Sequence, residues 1–175
     1  MSISDHSQSA SSLELLGSGE AYRDKIAALL ESSGYLFREF EWPQIQMLAG
    51  YMGFYRAPPG TTIFCEGDRG EYMCVLIEGK LEMYKEDSHG TKKIVATMSR
   101  GKTIGEMAMV DGEPRSATAV VKENVLLVVL TRESFLQISL EMPALAAKIL
   151  LLVARMLSQR LRHTSGELVD YIETH

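Results

Sequence analysis

The stretch GEMAMVDGEPRSAT, residues 105–118, separates two blocks of strand-like sequence. It predicts a short helical turn, a Gly-Glu-Pro bend, and an arginine where the next strand begins. The start of such a turn offers unpaired backbone N–H groups that suit a compact anion, and the Arg115 guanidinium can take two phosphate oxygens. A carboxylate at Glu106 would repel that anion unless it accepts a hydrogen bond from a hydroxyl of the same ligand. The stretch therefore indicates either a site for a phosphate with a sugar hydroxyl, or a salt bridge between Glu106 and Arg115 that closes a loop.

The sequence around this stretch, residues 51–131, has the two-residue period of β-strands. Short runs rich in Val, Ile, Thr and Tyr are separated by turn-forming Gly, Pro, Asp and Ser residues. Many short strands at regular spacing favour a closed barrel or jelly roll over an open sheet. The runs are residues 61–64, 72–77, 80–84, 93–98, 116–121 and 125–130.

The sequence on either side of this block is different. Residues 1–17 are polar and Ser-rich, which predicts a disordered tail, and residues 18–50 have the apolar spacing of short helices. Residues 132–175 predict C-terminal helices with an apolar stripe at spacings of four and three. The stripe either packs on its own barrel or forms a seam with the same helix of a second copy. Its members are Leu150, Ala154, Leu157, Leu161, Thr164, Leu168 and Tyr171.

Composition limits the possible functions. The chain has 175 residues with 18 Lys and Arg against 23 Asp and Glu, a formal charge of −5. An acidic balance argues against a surface that binds nucleic-acid backbones, so any bound anion must be held by a local arrangement. The two cysteines, Cys65 and Cys74, lack CxxC spacing and predict buried free thiols in a reducing cytoplasm. The longest apolar run, 144–154, is too short to cross a membrane, and the four histidines lack metal-site spacing, so no metal is expected.

The stretch 105–118 resembles the phosphate-binding cassette of the cyclic nucleotide-binding domain family, which has G-E-x-A/G followed by R-S/T-A. Upstream residues match the barrel glycines and core of that family, and the resemblance extends from Leu36 to Tyr171. It implies a mainly β fold with flanking helices: a double-stranded β-helix, or jelly-roll barrel, with N-terminal helices and a long C-terminal dimer helix. The matching upstream residues are Gly60, Ile63, Glu66, Gly67, Asp68, Tyr72, Val75, Gly79 and Glu82.

The resemblance also implies roles for individual residues. Arg115 would pair with the phosphate oxygens, Ser116 would donate its hydroxyl to them, and Glu106 would accept from the ribose 2′-OH. Gly105 would leave room for the sugar. The remaining residues assigned to the ligand are Met107 and Ala108 through their backbone N–H groups, Ala117 within the motif, and Met83, Val95 and Ala96 as an apolar pocket for the base.

Within that family, the bacterial cAMP receptors carry Arg-Leu-x-x-Thr-Ser on the dimer helix, and residues 160–165 of this chain are RLRHTS. The match implies that Arg160, Thr164 and Ser165 cap the base, with Ser165 reaching the pocket of a partner subunit. Hydroxyls can accept from the adenine amino group, which favours cAMP, but they are also compatible with cGMP.

The expected function is that of a stand-alone regulatory protein. It would bind cAMP or cGMP without hydrolysing it, because the cassette offers no general base or metal to activate water. A homodimer formed through the C-terminal helix would signal by helix rearrangement to an effector protein. No basic recognition helix follows residue 169, so no DNA binding is expected from these 175 residues. The alternatives are a scaffold that has lost its ligand and the sensor half of a longer transcription factor.

Overall fold

The computed structural model describes residues 13–33 and 35–174. Strands and helices follow one another in three groups: a strand with two helices, a block of strands interrupted by one short helix, and two final helices. In chain order the elements are β1 (Glu14–Ser18), α1 (Arg23–Ser32), a 3-10 turn (Tyr35–Phe37), α2 (Trp42–Ala49), β2 (Gly53–Ala57), β3 (Thr62–Phe64), β4 (Tyr72–Glu86), β5 (Lys92–Met98), β6 (Thr103–Ile104), α3 (Glu106–Asp111), β7 (Thr118–Thr131), α4 (Arg132–Glu141) and α5 (Pro143–Thr174).

The strands form one antiparallel sheet in the order β1-β2-β7-β4-β5, with β3 paired to β7 and β6 paired to β4. The long strands β4 and β7 run side by side, and their register shifts between Leu76 and Leu81. At the bend, Gly79 has φ +88°, and a Cβ there would lie 2.0 Å from the carbonyl oxygen of Asn124. Only glycine therefore lets the two strands bend together, which curls the sheet into a barrel. This confirms the predicted jelly roll.

Both faces of strands β4 and β7 are buried, one face against the helices and the other inside the barrel. In β4, Met73 and Val75 contact the helices, whereas Cys74 and Leu76 point into the barrel. Strand β7 alternates in the same way. Because successive side chains of a strand point to opposite faces, one strand contributes to two cores. One core joins the sheet to the helices, and the other fills the barrel next to residues 105–118.

The predicted disordered tail is wrong at its C-terminal end. Residues 14–18 form β1, which pairs antiparallel with β2, and Arg56 donates to the carboxylate of Glu14 at 2.6 Å. The ring of Tyr22 covers Gly17 so closely that a Cβ would lie 2.3 Å from it. Pairing with a strand almost 40 residues away, together with the packing of Leu16 against the core, thus orders this segment. Residues 1–12 of the predicted tail lie outside the described residues.

Helix α5 has 32 residues, about 48 Å at 1.5 Å per residue. Its first half packs on the domain through Leu145, Ile149 and Val153. Of the predicted stripe, Leu157 packs partly against the same core, whereas Leu150, Ala154, Leu161 and Thr164 are exposed. The side chains of Leu168 and Tyr171 lie outside the described part of the chain. The helix therefore uses one face for its own domain and leaves most of the described stripe uncovered.

Candidate functional site

The segment 105–118 is placed by strand pairing on both sides. Strand β6 pairs with β4 through Cys74 and Ile104, and the chain then turns sharply at Gly105, which has φ +80°. A Cβ at Gly105 would lie 2.3 Å from Nη1 of Arg115. Glycine is thus required by the backbone and by the arginine together. The space that we expected Gly105 to leave for a sugar is occupied by the guanidinium.

Arg115 is buried, with 3% of its surface exposed. Its Nη1 donates to the carbonyl oxygen of Gly105 at 2.9 Å, and its Nη2 donates to that of Tyr72 at 2.7 Å. The guanidinium carbon lies 4.2 Å from the ring centroid of Phe64 and 4.7 Å from that of Tyr72. A cation is therefore held inside the barrel wall by carbonyl dipoles and aromatic rings.

Glu106, the first residue of α3, is almost completely buried, with 1% exposed. One carboxylate oxygen, Oε1, accepts a hydrogen bond from Arg160 of α5, and Arg160 also donates to the carbonyl oxygen of Thr103 at 3.2 Å. The alternative of a salt bridge between Glu106 and Arg115 is not realised. The acidic residue binds the C-terminal helix instead, which ties α5 to the segment 105–118.

Two buried polar atoms at this place have no hydrogen-bond partner among the described residues: Oε2 of Glu106 and Nε of Arg115. An unpaired buried polar group costs about 1–3 kcal/mol, so two in one site need a physical reason. One is an acceptor and the other a donor. A ligand that carries both an anionic oxygen and a hydroxyl would satisfy them together.

A cavity with about 40 Å³ of free space lies between these residues. Eight of the residues predicted for the site line it, from the segment 105–118, strand β4 and helix α5. They are Gly105, Glu106, Met107, Ala108, Arg115, Ser116, Met83 and Arg160. The Ser116 hydroxyl lies 3.8 Å from the sulfur of Met107. The structure thus brings most of the predicted ligand-binding residues to one cavity.

The other predicted residues do not line the cavity. Ala117 is buried in the barrel core, and Ala96 is paired with Met83 across β4 and β5 and packs against that core. Val95 is 57% exposed. Thr164 and Ser165 are exposed on α5, one turn beyond Arg160. The base contacts expected for Val95, Ala96, Thr164 and Ser165 remain predictions.

Three lining residues were not predicted: Phe64, Met98 and Ile104. Met98 could have been found, because it follows Ala96 by two residues and so shares its side of strand β5. Ile104 immediately precedes the quoted stretch. Phe64 carries no local signal, since it reaches the cavity only through the pairing of β3 with the start of β7.

Other kinds of site find little support in the described ranges. No cluster of three metal-ligating side chains occurs there, and no described helix is both long and apolar enough to cross a membrane. Both cysteines are free, and Cys74 is fully buried. Burial raises the pKa of the Cys74 thiol to about 12, so this thiol stays protonated and unreactive at neutral pH.

Comparison with known proteins matches residues 55–141 to the family model of the cyclic nucleotide-binding domain. The cyclic AMP receptor protein of Thermus thermophilus is 30% identical over 133 residues, which are 76% of this chain and 60% of that protein. The CRP-like cAMP-activated global transcriptional regulator of Mycobacterium tuberculosis is 28% identical over 117 residues, which are 67% of this chain and 50% of that protein. The chain thus spans 50–60% of the length of these curated relatives.

Among solved structures, a cyclic nucleotide-binding domain from Methylobacillus flagellatus KT superposes with a TM-score of 0.81 at 28% sequence identity. The match covers 95% of this chain and 96% of that domain. Nearly every described element, including the N-terminal helices and α5, therefore lies within the matched region.

Proposed function

The chain belongs to the cyclic nucleotide-binding domain family, and we propose that it is a regulatory protein that binds cAMP or cGMP without hydrolysing it. The observation that carries this proposal is the pair of unsatisfied buried atoms, Nε of Arg115 and Oε2 of Glu106, at one cavity. The cyclic phosphate of such a nucleotide would accept from Arg115, and its ribose 2′-OH would donate to Glu106.

The proposed ligand would also change the contacts of α5. Arg160 bonds Oε1 of the carboxylate whose other oxygen the ribose would use, and it lines a cavity with too little free space for a nucleotide. Binding would require Arg160 to move relative to Glu106. A ligand shifts a conformational equilibrium only through its different affinities for the two states. Displacement of Arg160 from Glu106 by the bulk of the nucleotide is a physical source of that difference, and it would pass the signal to the C-terminal helix.

We propose that the base is capped by Thr164 and Ser165, which favours adenine. Thr164 follows Arg160 by four residues, so both lie on one face of α5. Comparing the affinities of Thr164→Ala for cAMP and for cGMP tests this assignment. A ratio of the two affinities that equals that of the wild type would exclude Thr164 from base recognition.

The proposed output is a homodimer that an effector protein reads. Support comes from the uncovered apolar residues of α5, among them Leu161, which is 69% exposed. Light scattering should give twice the chain mass for wild type, and Leu161→Glu should shift it toward the monomer. Leu140→Glu, at an exposed position on α4, is the matched control and should remain dimeric. A monomeric wild type at tens of micromolar would contradict the dimer.

Calorimetry with cAMP, cGMP and cyclic di-GMP tests the function itself. Arg115→Ala should abolish binding, but this residue is buried and the variant could unfold. Ser116→Ala changes an exposed side chain of the same cavity, and it should weaken binding about tenfold or more, the effect of one lost hydrogen bond to a charged group, worth about 1.5–3 kcal/mol. Ser88→Ala, in the β4–β5 hairpin, is the control. If millimolar nucleotide neither binds nor shifts the melting temperature of wild type, a scaffold role is favoured instead.

A further inference from the structure

The Arg115 guanidinium sits in a corner formed by two aromatic rings. Phe64 ends β3 and Tyr72 begins β4, and their ring centroids are 6.4 Å apart with planes at 67°. Both rings lie within 5 Å of the guanidinium carbon. The arginine therefore contacts two π-systems as well as the two carbonyl oxygens described above.

This surrounding is unusual for a buried arginine because no carboxylate of the described residues is paired with it. Within residues 13–33 and 35–174, no carboxylate forms a salt bridge with Arg115, although Glu106 lies on the same cavity. Buried charges are usually paired with an opposite charge. Aromatic faces and carbonyl oxygens stabilise a cation without neutralising it. The full positive charge of Arg115 is thus retained for an anionic ligand.

Tyr72 is itself firmly held. Its hydroxyl donates to the carbonyl oxygen of Ile63 at 2.6 Å, and burial raises the pKa of this phenol above its ordinary value, so the hydroxyl remains a donor. The same residue contributes its ring and its backbone carbonyl to Arg115. Phe64 adds a second ring and lines the cavity. Two strands that are consecutive in the chain, β3 and β4, thereby determine where the guanidinium can lie.

We propose that Phe64 and Tyr72 are positioning residues that hold Arg115 with its Nε–H free for the ligand phosphate. The inference rests on the proposed function for its consequence in binding, but the contact it describes exists without ligand. Loss of one ring should allow the guanidinium to adopt other rotamers, so that Nε–H is no longer held in one place for the phosphate. The aromatic pair would then govern affinity for the phosphate without touching it.

A double-mutant cycle tests this assignment. The variants are Phe64→Leu, Arg115→Met and the combination, with affinity for cAMP measured by calorimetry and stability measured by urea unfolding. Phe64→Leu should weaken cAMP binding about fivefold, because binding must then immobilise an arginine side chain that the ring no longer holds in place. Phe64→Tyr, which keeps the ring, should bind cAMP with the affinity of the wild type. In the Arg115→Met background, Phe64→Leu should cost clearly less stability than in wild type.

The control is Phe54→Leu, which removes a ring from the other core and should lower stability without changing affinity. Equal stability losses from Phe64→Leu in both arginine backgrounds, or wild-type affinity of Phe64→Leu, would overturn the positioning role. If wild type binds no nucleotide, the proposed function fails. The urea-unfolding cycle then still decides whether the rings hold the cation. If Arg115→Met does not fold, the stabilities of Phe64→Leu and Phe64→Tyr are compared instead.

Discussion

Replacing the Glu106 carboxylate with an amide should reduce the discrimination between cAMP and 2′-deoxy-cAMP. Glu106 is buried, its Oε1 is occupied by Arg160, and its Oε2 is free. In wild type, the ribose 2′-OH would donate to a charged oxygen, a bond worth about 1.5–3 kcal/mol. Glu106→Gln offers a neutral acceptor at best, worth about 0.5–1.5 kcal/mol. The difference of about 1–1.5 kcal/mol corresponds to roughly a tenfold change in the ratio of the two dissociation constants.

The ratio is the informative quantity, because Glu106→Gln also removes a negative charge beside the phosphate. That change affects both nucleotides equally and cancels. Calorimetry on wild type and variant gives the four dissociation constants, and Glu82→Gln, a carboxylate outside the cavity, is the control. Wild type should prefer cAMP by at least tenfold. If wild type binds both nucleotides within a factor of two, or Glu106→Gln leaves the ratio unchanged, the ribose contact is wrong.

Three further outcomes follow from the same geometry. Arg160→Ala removes the ion pair to Glu106. Because Arg160 is 37% exposed, this bond is worth about 1–2 kcal/mol, and the melting temperature should fall by about 5 °C. An unchanged melting curve would show that α5 is not tied to Glu106. Gly105→Ala should destabilise the fold and abolish nucleotide binding. The control is Gly90→Ala, at φ +76° with open space around it, which should cost only the backbone strain of about 1–2 kcal/mol. Equal losses of stability in the two variants would contradict the close approach of the guanidinium to Gly105. Because burial raises the pKa of Cys74 to about 12, the unfolded chain loses that thiol proton first, and stability should fall as pH rises from 9 toward 12. Cys74→Ala should reduce this fall in alkaline urea titrations, and a pH slope unchanged by the substitution would contradict the account.

Local patterns were sufficient to predict the barrel but not the length of its strands. The runs at 72–77 and 80–84 are parts of one strand, β4, because Gly79 makes a bend and not a turn. The runs at 116–121 and 125–130 likewise join into β7. The two bends are in contact, since Lys80 and Glu123 pair across them at 2.7 Å. A bend shared by two strands that are far apart in the sequence cannot be identified from either strand alone.

In the candidate site, too, local patterns predicted one part, and the other part depends on residues distant in sequence. The residues of 105–118 are close in sequence, so their convergence could be predicted from a local turn and a motif. The partners of Glu106 and Arg115 are not local: Arg160 lies 54 residues beyond Glu106, and Phe64 belongs to a strand that precedes Arg115 by about 50 residues. The residues alone left open whether Glu106 and Arg115 would pair with each other. The fold instead gives each a distant partner, which leaves one polar atom of each free.

The central claim is that these two free atoms mark the site of a cyclic nucleotide. A crystal structure of the chain grown with cAMP tests it most directly. We expect a phosphate oxygen within hydrogen-bond distance of Nε of Arg115 and the ribose 2′-OH within hydrogen-bond distance of Oε2 of Glu106. A nucleotide bound elsewhere, or one that leaves both atoms unpaired, would contradict the account.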